Sequence, residues 1–280
     1  MYHLANQLPD YLSGAKCYGD DFSESEILAW YEDEAEAYAD LGARDRQSYK
    51  YHYHALNRLL GFSHLGARTF EHVVGLGSAY GDELSPIIRR IKRITILDPS
   101  DAFIVDNVQG VPVTYEKPRP SGDLPFLSES VDMFTCFGVL HHIPNVSHVI
   151  QEMGRCLALG GVVLLREPTV SMGDRTRPRP GLTRRERGIP LGVMRSAIAA
   201  AGLEIVKFTP FGFGPVTLAW HRLVRSSLYN SHVGLMLDVL CSRITAWNYR
   251  YHRQTVLDRF APSSAFWVLS KSEAAHSIIR

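Results

Sequence analysis

The sequence predicts an α/β protein: a doubly wound, mostly parallel sheet of seven strands, with N-terminal helices before it and a helical insertion ahead of the last strand. Three observations carry this. From residue 72 onward, short apolar runs alternate with helical patterns, which implies parallel strands covered by helices on both faces. Several of the runs stop at Gly, Pro or Asp, residues that turn or end a strand. The chain has 280 residues, 45% hydrophobic and 21% charged, enough for one large α/β domain with appendages.

The elements follow in order. Residues 22–41 place Ile27, Leu28, Trp30, Tyr31, Ala35, Tyr38 and Leu41 as an apolar stripe among acids, the pattern of a helix. Residues 46–60 predict a second helix. Strands are expected at 72–76, 94–97, 111–115, 131–137, 161–165, 203–208 and 266–270. Helices are expected at 82–92, 146–159 and 191–201, the last stopping at Gly202. Residues 212–262 predict two helices over the substrate pocket. The chain thus divides into an N-terminal helical cap (1–65), an α/β core (66–211), a helical cap insertion (212–262), and the last strand with a tail (263–280).

Composition excludes several classes. The formal net charge is +1, far from the positive field that a nucleic-acid backbone demands. Cys17, Cys136, Cys156 and Cys241 are widely spaced, which disfavours a disulfide framework or a zinc site. No apolar run has the length to span a bilayer, and the first residues lack the basic start and apolar core of a signal peptide. A reducing, cytoplasmic setting is expected, with neither membrane nor nucleic acid as partner.

Val73-Val74-Gly75-Leu76-Gly77-Ser78-Ala79-Tyr80-Gly81-Asp82 follows a strand and opens a helix. Small residues there let the backbone turn sharply and approach a ligand. Alone, this also fits an ordinary tight turn. Asp98 stands 21 residues after Gly77, at the end of the next strand, where an acid accepts hydrogen bonds from ribose hydroxyls. A dinucleotide fingerprint needs glycine at position 80, but Tyr80 is there, and the third glycine comes one residue late at Gly81.

Later segments select the cofactor. Gly122-Asp123-Leu124-Pro125-Phe126 leads to Ser130-Val131-Asp132-Met133-Phe134. Next come Phe137-Gly138-Val139-Leu140-His141-His142-Ile143-Pro144, Glu152-Met153-Gly154-Arg155-Cys156-Leu157 and Gly160-Gly161. In this order the segments resemble the class I S-adenosylmethionine (SAM)-dependent methyltransferases that modify small molecules such as quinones and sugars. The resemblance implies a Rossmann-like methyltransferase fold and SAM as cofactor. It implies that Gly75, Gly77, Ser78 and Gly81 lie against the methionine and ribose of SAM. Asp98 would bind the ribose, with Pro99 and Ser100 flanking the adenine. Asp123 would meet the adenine amino group, with the Leu124 backbone at the ring edge, and Phe137 and Gly138 would line the methionine end. Three departures stand out. The family usually carries an acid where this chain has Gly75, a glycine where it has Ala79, and a proline where it has Leu159. With Gly75 in place of the acid, the cofactor ammonium needs another partner, and Glu32 or Glu34 of the acidic N-terminal helix is a candidate.

Methyl transfer from a sulfonium is a direct displacement, so positioning supplies most of the gain, and a hydroxyl acceptor also benefits from a base. His142 and His141, which follow the fourth strand, and Glu167, at the end of the fifth, are the catalytic candidates. Each also has a structural reading, as a turn, core or ion-paired residue. No spacing suggests a metal site.

Residues 169–190 carry six arginines, and residues 18–43 carry nine acids with no Lys or Arg. Either the arginines bind an anionic acceptor, with Arg175 and Arg177 as substrate candidates, or the acidic segment neutralises them as a closed lid. The leading expectation is a SAM-dependent methyltransferase acting on a small molecule, at oxygen, on a sugar or other acidic metabolite. Two alternatives are a non-catalytic SAM-fold partner or regulatory protein and a nucleotide-dependent oxidoreductase.

Overall fold

The computed structural model describes residues 2–36, 45–173, 179, 181–224 and 226–272. The strands are β1 (Phe70–Leu76), β2 (Ile91–Leu97), β3 (Asn107–Val108), β4 (Val111–Glu116), β5 (Val131–Phe137), β6 (Leu157–Pro168), β7 (Glu204–Phe211) and β8 (Ser264–Ser270). They form one sheet in the order β3-β4-β2-β1-β5-β6-β8-β7. Strands β4, β2, β1, β5 and β6 pair parallel. Strand β8 runs antiparallel between β6 and β7. The seven expected strands are present. The eighth, β3, is a two-residue partner of β4 across Gln109 and Gly110, both at positive φ, the backbone of a tight hairpin turn. Two residues are too few to show a period.

The helices are α1 (Tyr2–Ser13), α2 (Glu24–Glu34), α3 (His54–Leu60), α4 (Val146–Cys156), α5 (Leu191–Ala200), α6 (Gly214–Leu223) and α7 (His232–Ile244). Several differ from expectation. Helix α1 was not expected at all. Helix α2 covers only part of 22–41, and residues 37–44, with Tyr38 and Leu41, lie outside the described residues. Only the second half of 46–60 is α-helical, which leaves Tyr49, Tyr51 and Tyr53 as loop side chains. The segment Asp82–Arg90 winds as a 3₁₀ helix, with Pro86 inside it. Helix α4 stops at Cys156, where β6 begins.

Alternation along the strands splits the core into two layers. Val74, Phe134, Cys136, Val163 and Leu165 pack against Val149, Ile150 and Met153 of α4 and Met194 and Ile198 of α5. Val73, Ile94, Ile96, Met133 and Leu164 pack on the other face against Leu56 and Leu60 of α3, Leu84 and Ile87, and Leu235 and Val239 of α7. The strand order reverses between β1 and β5, so a crevice opens at their carboxyl ends, where open α/β sheets bind ligands. Among the described residues, no helix is long and apolar enough to cross a membrane.

Candidate active site

The loop leaving β1 turns into the crevice because three residues take left-handed backbone: Gly77 (φ 58°), Ala79 (φ 45°) and Gly81 (φ 72°). A side chain on Gly77 would meet Val139 at 2.7 Å, so glycine is required there. The Gly77 N–H bonds to the Leu97 carbonyl at 2.8 Å, which ties the loop to β2. Asp98, just past β2, accepts from the Ala79 N–H (3.3 Å) and the Ser100 N–H (3.0 Å). Burial pushes its carboxyl up to about 6 against those two donors. Asp98 therefore sets the loop's shape and faces the cavity at the same time.

Two connected hollows occupy the crevice. An apolar slot of about 120 Å³ has Trp30, Leu97, Pro99, Leu124, Val139 and Ile143 among its walls. A wider cavity of about 480 Å³ is bordered by Gly77, Ser78, Glu83, Asp98, His141 and Arg166 among others. Glu34, Ala35, Gly77, Pro99, Val139 and His142 border both. Helix α2 thus forms one wall through Trp30, Tyr31 and Glu34.

At the slot, Asp123 accepts from His148 at 2.8 Å and from the Ser121 hydroxyl at 2.9 Å. The His148 bond, with that of Ser121, holds its carboxyl below the ordinary value. The Leu124 N–H donates to Glu152 (3.0 Å) and the Leu124 carbonyl accepts from Arg155 (3.1 Å). Both backbone groups of Leu124 thus have protein partners, and the residue borders the slot. This also explains the Glu152/Arg155 pair, which pins residues 124–126 through a 2.7 Å ion pair and a bond to the Phe126 carbonyl. Ser100 gives its hydroxyl to Glu36 at 2.8 Å.

At the far end, Gly138 (φ 78°) follows Phe137 at the tip of β5. A Cβ on Gly138 would stand 3.6 Å from His141 Cε1 and from an Arg166 nitrogen. His141 Nδ1 lies 2.8 Å from Glu167 Oε2. Glu167 is 1% exposed and also accepts the Val139 and Leu140 N–H groups, both at 2.8 Å. Burial alone would raise its carboxyl, but His141 and those two donors outweigh it and hold Glu167 ionised below its usual range. Burial, helped by the nearby His142, pushes His141 below the ordinary histidine value, against Glu167 and Glu186. A neutral His141 donating Nδ1–H to the carboxylate leaves Nε2 as an acceptor. That Nε2 faces Glu186 Oε1 at 3.6 Å. His142 Nδ1 lies 2.9 Å from Glu34. His141, His142 and Glu186 each bring one donor atom within 4.8 Å of the others.

The acidic and basic segments meet, as one of the two expectations had it. Asp33 pairs with Arg184 (3.3 Å) and Arg185 (2.7 Å). Glu34 accepts from the Thr183 hydroxyl and the Arg185 N–H, so it is committed to the lid and to His142 rather than to a cofactor ammonium. Glu32 is exposed. Arg187 is fully buried and donates to the carbonyls of Tyr18, Leu140, Ile143 and Pro144. Arg179 donates to the carbonyls of Thr183, Arg184 and Glu186. The arginines described here hold protein groups, while Arg175 and Arg177 lie outside the described residues.

These residues fit SAM: a loop on β1 with no room for a side chain at Gly77, an ionisable carboxyl at Asp98, an apolar slot for a ring, and a charged cavity at the other end. Residues 74–165 match the family described as a methyltransferase domain. Over these residues the chain carries a class I SAM-dependent methyltransferase domain. No curated protein sequence matches it. Solved structures share the fold at low identity. A complex of the Haloferax volcanii Trm112 methyltransferase activator with a methyltransferase aligns at TM-score 0.53 and 17% identity, covering 89% of this chain and 98% of that one. The [4+2]-cyclase SpnF aligns at TM-score 0.53 and 13% identity, covering 90% and 97%. A Thermotoga maritima methyltransferase described as a possible histamine N-methyltransferase aligns at TM-score 0.51 and 14% identity, covering 87% and 99%.

Among the residues that line the cavity of this methyltransferase, Glu83, Arg166 and Glu186 are charged ones that sequence reasoning missed. Arg166 is 7% exposed, stacks over Tyr53 at 3.9 Å and bonds to the Phe137 carbonyl. The signal for it was its place next to Glu167 at the end of a core strand. Successive residues there face opposite sides of the sheet, so Arg166 and Glu167 reach the crevice from opposite layers.

Proposed function

We propose that the enzyme methylates a hydroxyl oxygen of a small acceptor, with His141 as general base. One observation carries this. His141 Nε2 and Glu186 Oε1, both acceptors, face each other 3.6 Å apart at the cavity wall, and a donor such as an acceptor O–H satisfies both. SAM supplies an activated methyl on a sulfonium. The protein's own part is to hold the acceptor oxygen in line and take its proton. Glu167 fixes the His141 ring and its tautomer, the role of the carboxylate in a hydrolase triad. His142, held by Glu34 at the junction of the two hollows, is the second candidate base.

The resemblance supports a sugar or other acidic metabolite as acceptor, and Arg175 and Arg177 are proposed to meet its anionic group. The segment 212–262 is proposed as the substrate cap and the enzyme as cytoplasmic, with no membrane or nucleic-acid partner. The test is a methyl-transfer screen over hydroxylated and acidic small molecules, comparing wild type with His141→Asn and His142→Asn. Loss of turnover in His141→Asn, with activity unaffected by chelators, is expected. Full activity in His141→Asn would overturn the base assignment. A requirement for a divalent ion would turn His141, His142 and Glu186 into ligands instead. Unchanged acceptor KM in Arg175→Ala and Arg177→Ala would overturn the anionic subsite.

A further inference from the structure

Gly75 sits where related enzymes usually carry an acid, and the structure shows what has taken that space. A Cβ on Gly75 would collide with the Ser78 side chain and would stand 3.5 Å from Glu83 Oε1. Glu83 lies in the first turn of the 3₁₀ helix that follows the loop. It is 3% exposed and lines the wide cavity with Gly77, Ser78 and Asp98. The Ser78 hydroxyl bonds to its carboxyl, but Oε1 has no hydrogen-bond partner among the described residues. A buried acid with an unused acceptor oxygen is costly unless a ligand completes it. Arg166 lines the same cavity and acts electrostatically on Glu83. Glu83 and Arg166, an acid and a guanidinium among the charged groups around this hollow, suit a zwitterion, the ionic state of an amino-acid tail.

We propose that Glu83 receives the α-ammonium of the cofactor's methionine, in place of the missing acid at position 75, with Ser78 orienting it. This rests on the assignment of SAM as cofactor. Glu83 stands eight positions further along the chain but beside the same turn, because the loop folds back and brings the start of the 3₁₀ helix against the end of β1. Glu83→Gln keeps shape and hydrogen-bonding size and removes the charge.

The experiment is a binding cycle by isothermal titration. Wild type and Glu83→Gln are each titrated with S-adenosylhomocysteine and with its analogue lacking the amino group. The expected result is an S-adenosylhomocysteine affinity lower in Glu83→Gln on the order of tenfold or more, the size of a charge-assisted hydrogen bond. The analogue should bind both proteins equally, and that equality also reports an intact fold. Equal loss of both ligands would make Glu83 a loop-shaping residue and overturn the proposal, as would unchanged S-adenosylhomocysteine affinity. Wild type that fails to bind S-adenosylhomocysteine would overturn the cofactor assignment itself, a separate outcome.

Discussion

The Glu83 carboxyl makes the stability of the cofactor-free enzyme fall as pH rises. Burial pushes it from 4.5 up to about 7, with Asp82 adding to the rise while Ser78 and Arg166 oppose it. In the window between those values the folded state binds a proton that the unfolded chain has released. Stability therefore declines with a slope near 1.4 kcal/mol per pH unit and is restored as pH falls below the unfolded value. The whole window is worth roughly 3 kcal/mol, and the span from about pH 5.5 to 7.5 roughly 2 kcal/mol. Asp98, raised to about 6, adds a decline of the same sign at lower pH. Comparison with Glu83→Gln separates the two, because Asp98 is present in both proteins. Urea denaturation of wild type and Glu83→Gln at several pH values is the assay. Wild type should lose roughly 2 kcal/mol more than the variant across that span. Parallel stability curves would refute the reasoning, since they would mean that the Glu83 carboxyl is solvated in the folded state.

Four further expectations follow from the same geometry. His141→Asn and Glu167→Gln should each cut kcat about 10²- to 10⁴-fold with S-adenosylhomocysteine affinity nearly unchanged. Wild-type kcat should fall only at pH below the ordinary histidine value, because burial keeps His141 neutral above it; pH–rate profiles with an accepted substrate check both. Asp98→Asn should weaken S-adenosylhomocysteine binding about tenfold or more and also lower the melting temperature, because the amide keeps an oxygen for the Ser100 N–H but turns its NH2 toward the Ala79 N–H. Arg187→Leu should cost at least about 3 kcal/mol in urea denaturation, because it strips the donor from four buried or half-buried carbonyls; a loss below about 1 kcal/mol would show that the loop re-pairs them elsewhere.

What the sequence revealed depended on how local each requirement was. The central strands β1, β2, β5 and β6 were legible because each buries a run of apolar residues and ends at a turn residue. The loop at Gly77 and the acid at Asp98 were legible because close backbone approach and strand-end placement are conditions on a few neighbouring residues. Helix type at 82–90 was not, since a 3₁₀ helix and an α-helix share much of their apolar spacing. The six arginines after residue 169 illustrate the opposite case. A basic run looks like an anion site, but an irregular segment leaves many carbonyls without ladder partners, and a guanidinium can satisfy several at once. Arg179 and Arg187 are used that way. Whether an arginine meets a ligand or a backbone is decided by loop geometry, which composition does not carry.

Glu83 was hidden for a related reason. Acids are common in the first turn of a helix, where they oppose the exposed N–H groups, and Asp82, its neighbour, behaves as such a residue by pairing with Arg46 at 2.6 Å. Nothing in Asp82-Glu83 says which of the two turns inward. The answer is set at Gly75: with no Cβ there, Ser78 and Glu83 can fold into the vacated space. The glycine that reads as a lost functional group is thus what admits the relocated one. It follows that acids at 75 and at 83 are alternatives rather than additions. Gly75→Asp in the wild-type chain would drive a side chain into Ser78 and set a second carboxylate beside Glu83, so it should destabilise the fold and weaken cofactor binding together. The same substitution combined with Ser78→Gly and Glu83→Ala, which clear the space, should recover binding of S-adenosylhomocysteine.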